Sequence, residues 1–373
     1  MALPSPGSAI SLSQVNIELS LSATATISMN DSSLRSLFGV TGSGTQISMS
    51  QGWGKTVFLG KGYFYGGAAS GAPVVNQIDG IDFITETAID PAAACVQARD
   101  SQGAFNSPTR GYGGGGPPGP GQAGNAEIDG LDFATETAIN PAAVLSYARS
   151  SAKGYNSTTR GFFVGSSNPN NRPSTQRDTR GVIDGMTFAT ETCAVIAATM
   201  VQARITGDTV CSSTRGYYGG GIGGPGSVLN LGPTYGSQID GLNFATETAI
   251  DPAASLAQAR RNIAGGTNSS TRGYFHGGRI YSGSLANPFV NVSQIDGLNF
   301  ATETAIDPAA AMVSIRYTAG GFNSSTKGYI GGGNTLETQI DGIDFATETT
   351  IDPAAALVQG RTNHGAFQSN GYL

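Results

Sequence analysis

One motif recurs six times along this chain, and the recurrence restricts its possible folds more than any other feature. Each copy reads Ile-Asp-Gly, a Phe, Thr-Glu-Thr and an Ala-rich stretch ending in Arg, and a Gly-Tyr-Gly-Gly-like block follows. The Asp falls at Asp79, Asp129, Asp184, Asp240, Asp296 and Asp341, and the Glu follows seven residues later at Glu86, Glu136, Glu191, Glu247, Glu303 and Glu348. The Arg follows the Asp by twenty residues every time, at Arg99, Arg149, Arg204, Arg260, Arg316 and Arg361. Fixed offsets inside a unit of about 50 residues mark a stacked or closed repeat architecture.

Within a unit, Ile81, Phe83 and Thr85 alternate with Asp82 and Glu86, the period of a half-buried strand. Gly62 to Gly67 supplies a second strand, aromatic and then broken by glycines, and Gly103 to Ser107 a third. Asp90 to Val96 carries the Asp-Pro-Ala signature of a helix start, yet a short outer strand suits the architecture better. Four short strands per unit, six times over, predict an all-β, six-bladed β-propeller. A solenoid is the alternative, and it would carry atypical capping repeats at both ends. Here the ends are complementary instead. The first unit lacks a Gly-Ala-Phe strand and the last has a surplus one, Gly365 to Ser369, so the C-terminus is expected to complete the first blade. Thr56 to Gly60 competes for that slot.

Composition narrows the function classes. The 373 residues are only 12% charged, with 55 glycines and a net charge of −6. There is no basic run to bind nucleic acid. No apolar stretch reaches the roughly 20 residues of a membrane span, and Met1-Ala-Leu-Pro-Ser is not a basic-then-apolar leader. Cys95, Cys193 and Cys211 are odd in number and irregularly placed, which predicts buried thiols rather than disulfides. His276 and His364, the only histidines, sit at no ligand spacing, so no metal or other cofactor is expected. The domain boundary is expected near residue 55. Residues 1–54 lack the repeat and form a separate small module, and residues 55–373 form the propeller.

The opening Met1-Ala-Leu-Pro-Ser through Ile10-Ser-Leu-Ser-Gln-Val-Asn-Ile-Glu-Leu19, with Ile47-Ser-Met-Ser50, resembles an N-terminal module of virion proteins of tailed bacteriophages. The repeats resemble the kelch-type propeller repeats of phage structural proteins, cyanophages especially. The resemblance rests on Ile-Asp, the Ala-Arg, Asn268 to Gly273 and the Gly-Gly doublets. It departs from kelch repeats in lacking their separated Tyr and Trp, because the only Trp is Trp53. What it implies is a non-enzymatic protein of the virion tail or tail fibre, made in the host cytoplasm. It would be homo-oligomeric in the particle and would contact other virion proteins and a host glycan or receptor. A glycan-hydrolysing propeller of the tail and a secreted lectin-like propeller are the alternatives.

Carboxylates repeated in every copy suit structure better than catalysis, since an active site on a propeller forms once. The Asp and Glu are expected to satisfy turns, and the Arg to pair with a neighbouring acid, as a ring of Glu/Arg pairs locking one blade to the next. Binding is expected where the copies differ. From the repeat Asp to the next Thr-Arg/Lys-Gly basic residue the distances are 31, 31, 31, 32 and 31 residues. From that basic residue to the following Asp they are 18, 19, 24, 25, 24 and 14. One family of connections therefore carries the length variation and maps to one face. Its candidate binding residues are Asn168, Asn170, Arg172, Tyr235, Arg279, Tyr281 and Phe289.

Overall fold

Six four-strand antiparallel ladders make up a six-bladed β-propeller, one blade per repeat. The computed structural model describes Val15 and residues 60–373, except 71–73, 120–121, 169–177, 180, 224–234, 285–287, 335 and 370–373. The expected module of residues 1–54 lies, but for Val15, outside the described residues. The propeller occupies the unit Gly60–Leu373.

Blade 1 runs outward from Gly365–Gln368 through Lys61–Tyr65 and Ile78–Asp82 to Ala88–Ile89. The surplus C-terminal strand therefore closes the ring, with Gly62 opposite Gln368 and Tyr65 opposite Gly365. The other five blades begin at Gly103–Asn106, Lys153–Asn156, Asp208–Cys211, Gly265–Asn268 and Gly320–Asn323. Each of these inner strands packs against the inner strand of the next blade, and the circuit returns to Gly365–Gln368. Such closure hides sheet edges that would otherwise be exposed.

The sequence motifs have local physical causes. A Cβ at Gly80 would stand 1.8 Å from the Gly62 carbonyl oxygen, and one at Gly130, Gly241 or Gly342 would meet a carbonyl at 1.9, 2.0 or 1.8 Å. The Gly of Ile-Asp-Gly thus lets strand three approach strand two. The Gly before each second-strand aromatic is a socket for the preceding blade. Phe322 fills the space at Gly62, Phe367 that at Gly111, and Phe105 that at Gly161.

Two sequence expectations are corrected. Phe83 and Thr85 are not strand residues, because the strand ends at Asp82 and a turn follows. Asp82 Oδ1 accepts the amides of Ile84 at 2.9 Å and Thr85 at 3.0 Å, and Glu86 takes a left-handed φ of 51°. An Asp side chain that satisfies amides two and three residues on favours a turn over a continued strand. The outer strand is then the Ala-Ile after Thr-Glu-Thr, not the Ala-rich stretch. That stretch is a strand in blades 2 and 3, as Val144–Arg149 and the end of Thr192–Thr199. In the other four it makes one isolated bridge, such as Gln77 to Ala94.

The core lies between blades rather than within them. All six buried clusters draw on neighbouring blades, as where Phe64 and Ile81 of blade 1 meet Phe322, Tyr329 and Leu357. The motif Phe stacks on the second-strand aromatic of the preceding blade all round the ring. Tyr63–Phe133, Tyr112–Phe188, Phe162–Phe244, Tyr217–Phe300, Tyr274–Phe345 and Tyr329–Phe83 have ring centres 5.8, 5.8, 5.5, 5.6, 5.6 and 5.4 Å apart. Stacks of this geometry contribute about 0.5–1.5 kcal/mol each beyond burial.

Candidate functional site

The repeated charges resolve into two rings, which corrects the expected single ring of Glu/Arg pairs. The repeat Arg meets the repeat Asp of the next blade. Arg99 reaches Asp129 at 2.7 Å, Arg260 reaches Asp296 at 2.6 Å and Arg316 reaches Asp341 at 3.1 Å. Arg149–Asp184 and Arg204–Asp240 pair likewise, and Arg361–Asp79 joins the last blade to the first. All twelve side chains are buried. The guanidinium also caps carbonyls where the next blade's strands two and three splay apart, as Arg260 does on Gly277 and Gln294, both at 2.8 Å. The Asp in turn accepts a backbone amide, as Asp79 does from Val358 at 2.8 Å. Burial pushes the carboxyls of Asp79, Asp240, Asp296 and Asp341 above their ordinary range, against the pull of their arginines.

The repeat Glu pairs instead with the basic residue that opens the second strand of the preceding blade. Lys61–Glu136, Arg110–Glu191, Arg215–Glu303, Arg272–Glu348 and Lys327–Glu86 lie at 2.9, 2.6, 2.7, 2.6 and 2.8 Å, and Arg160–Glu247 completes the set. A tyrosine hydroxyl donates to the same carboxylate in five of the six, as Tyr63 does to Glu136 at 2.8 Å. Phe162 stands at the sixth. These pairs are partly solvated.

Strand register separates the two faces. The last residue of each second strand pairs with the first residue of its inner strand, as Tyr65 does with Gly365. The variable connections therefore all leave on the face where the inner strands begin, above the buried Asp/Arg ring. The Glu turns occupy the opposite face.

The central channel is lined by the inner strands. Lys153 and Asp208 stand at first-strand positions where the other four blades have glycine, and they pair with each other at 2.7 Å. Its histidine is buried. Burial and the nearby Arg361 push His364 down to about 3, and burial with Arg260 and Arg316 does the same to His276 in its second strand. No group of three or more His, Cys, Asp or Glu side chains among the described residues could hold a metal ion. The three cysteines are free thiols.

On the variable face, four of the seven candidate binding residues come together, and two unexpected residues join them. Arg279–Tyr281 and Phe289–Asn291 form the hairpin of the blade 5 connection. Tyr281 stacks on Tyr235 of blade 4, with centres 6.2 Å apart. Arg261 lies 4.1 Å over the Phe289 ring centre and 5.6 Å from that of Tyr235. Arg279 lies 4.7 Å over Phe289 and 4.3 Å over Tyr317. The two arginines are held side by side by reciprocal backbone hydrogen bonds of 3.0 and 2.9 Å. No carboxylate of a described residue lies within ion-pair distance of either guanidinium, whereas each repeat Arg has one. Both Nε atoms and the Tyr235 hydroxyl are buried without a hydrogen-bond partner among the described residues. Burial pushes Arg261 below its ordinary range; Tyr235 and Tyr317 oppose the shift and Arg279 adds to it.

Asn168 lies elsewhere, on the short ladder Ser167–Asn168 with Asp178–Thr179 in blade 3. Asn170 and Arg172 fall outside the described residues. Sequence reasoning missed Arg261 and Tyr317, although a signal exists. Both immediately follow a repeat Arg, at a position held elsewhere by Asp100, Ser150, Ile205 and Thr362. A position that varies directly beside a fixed one points to the variable face just as loop length does. No protein-family model and no curated protein sequence matches this chain, so its own residues carry the functional argument.

Proposed function

We propose that this chain is a non-enzymatic structural protein of a bacteriophage virion, a component of the tail or tail fibre. Its propeller binds a host-surface molecule or a neighbouring virion protein through the variable-loop face. Residues 1–54 join it to the particle and to sister copies of itself. The virion assignment rests on the resemblance of the N-terminal segment and the repeats. The binding role rests on one observation: Arg261 and Arg279 lie over three aromatic rings, with no acidic partner among the described residues, on the face that carries the length variation.

The test is localisation and adsorption. Antibody against the propeller should label the tail of intact particles, and particles carrying Arg279→Gln should assemble normally but adsorb poorly. Labelling of the capsid alone, or wild-type adsorption by that variant, would overturn the reading. Release of reducing sugar from host-surface glycan by the purified chain would favour the hydrolase instead.

A further inference from the structure

We infer that the Arg261/Arg279 cluster is a binding site for a carboxylate-bearing saccharide, a pyranose of the uronate or sialate kind. The inference deepens the reading above and rests on it for the biological setting, but its chemistry stands on the cluster alone. Two guanidiniums held side by side repel each other, and burial raises the cost of the Arg261 charge further. Each fully buried guanidinium among the described residues is offset by a carboxylate of the next blade. Here the compensation among described residues is aromatic, and an aromatic face offsets a cation far less than an ion pair does. A planar carboxylate delivered by a ligand would meet the forked terminal donors of the two guanidiniums.

The rings select the rest of the ligand. Tyr281 is 39% exposed and stacks on Tyr235. A pyranose presents an apolar C–H face to such a ring and hydroxyls at its edge to such a phenol. A protein partner needs more. A stable interface covers about 800 Å² on each side, whereas the large apolar side chains exposed among this hairpin's described residues are Tyr281 and Val290. A nucleic acid is disfavoured by the net charge of −6.

The experiment is calorimetric titration of the full chain with trigalacturonate, with sialyllactose, with the methyl ester of trigalacturonate, with inorganic phosphate and with hexaglutamate. At least one acidic saccharide should bind with Kd below about 1 mM, and the ester should bind about tenfold more weakly. Arg261→Gln and Arg279→Gln should each cost about tenfold, and Tyr281→Ala about threefold at an unchanged melting temperature. If an arginine variant melts early, the exposed Tyr281 decides. The inference is overturned if neither acidic saccharide binds, if acid and ester bind alike, or if phosphate or hexaglutamate binds as tightly as the saccharides. Particles carrying Tyr281→Ala separate the two readings. Lost saccharide binding with intact adsorption keeps the site and removes its role in adsorption. Lost adsorption when the wild-type chain binds no saccharide keeps the loop face and removes this ligand.

Discussion

The two faces of the propeller treat arginine in opposite ways. On the Glu-turn face, Arg110, Arg160, Arg215 and Arg272 each meet a glutamate of the following blade. On the loop face, Arg261 and Arg279 meet aromatic rings and no described carboxylate. The difference follows from repetition. A charge present in every unit is brought against a neighbouring unit's partner by the same rotation that brings unit onto unit. A charge present once has no copy of a partner waiting for it. Repeated charges in this ring are therefore structural by construction, whereas those that break the repeat find partners case by case: Lys153 and Asp208 pair with each other, and Arg261 and Arg279 meet only rings among the described residues.

Breaking the ring should have the largest effect. Removing residues 365–373 deletes the inner strand of blade 1 with buried Phe367. The loss should exceed about 5 kcal/mol, since a buried Phe accounts for about 3–5 and the strand's hydrogen bonds add more. Equilibrium urea unfolding would read it, and unchanged stability would show that another segment closes the ring. Next comes the buried ring of pairs. Arg316→Met strands the Asp341 carboxylate in the interior and should cost about 3–5 kcal/mol, most of it recovered by adding Asp341→Leu. A loss below 1 kcal/mol would mean that water reaches Asp341.

Acid should reveal the buried histidines. His276 and His364 stay neutral in the folded chain down to about pH 3, whereas in the unfolded chain they bind protons near 6.5. Their contribution is thus complete above about 6.5 and is lost as pH falls. At 1.36 kcal/mol per pH unit, each should cost about 2 kcal/mol by pH 5. The raised carboxyls of the Asp ring act in the opposite sense, gaining stability on protonation. The comparison is therefore made against His276→Val with His364→Ala, residues that other blades carry at those positions as Val164 and Ala152. A parallel pH profile for that variant would overturn the assignment.

The smallest effects should separate the faces. For Glu86, burial acts against the charged form, but the hydrogen bonds from Lys327 and Tyr329 prevail and hold its carboxyl below the usual range. Because the pair is partly solvated, Glu86→Gln should cost only about 0–1 kcal/mol. Arg279→Gln should leave stability within about 0.5 kcal/mol. A larger loss would make Arg279 a structural residue and remove the contrast.

Much of this molecule could be read from one dimension. The blade number follows from six copies of Ile-Asp-Gly, and the closing strand from the surplus Gly-Ala-Phe at 365. The loop face follows from spacings that vary on one side of Arg110 and its counterparts and hardly at all on the other. These are properties of counting, and a closed repeat fold turns counts directly into positions. The assignment of partners was not legible. Arg361 finds Asp79 282 residues away, and from composition alone either repeated acid could have held it. Phe83 alternates like a strand residue, but the Asp82 side chain satisfies the following amides and turns the chain before the pattern can continue. The loop-face cluster needed the tertiary structure most. Its six side chains come from the hairpin of blade 5, a loop of blade 4 and the connections on either side of blade 5, and only the rotation from blade to blade sets them against one another. The sequence determined which residues repeat and which do not. The ring decided which of the residues that do not repeat would meet, because contact across blades depends on radius and height, and neither is written in the spacing along the chain.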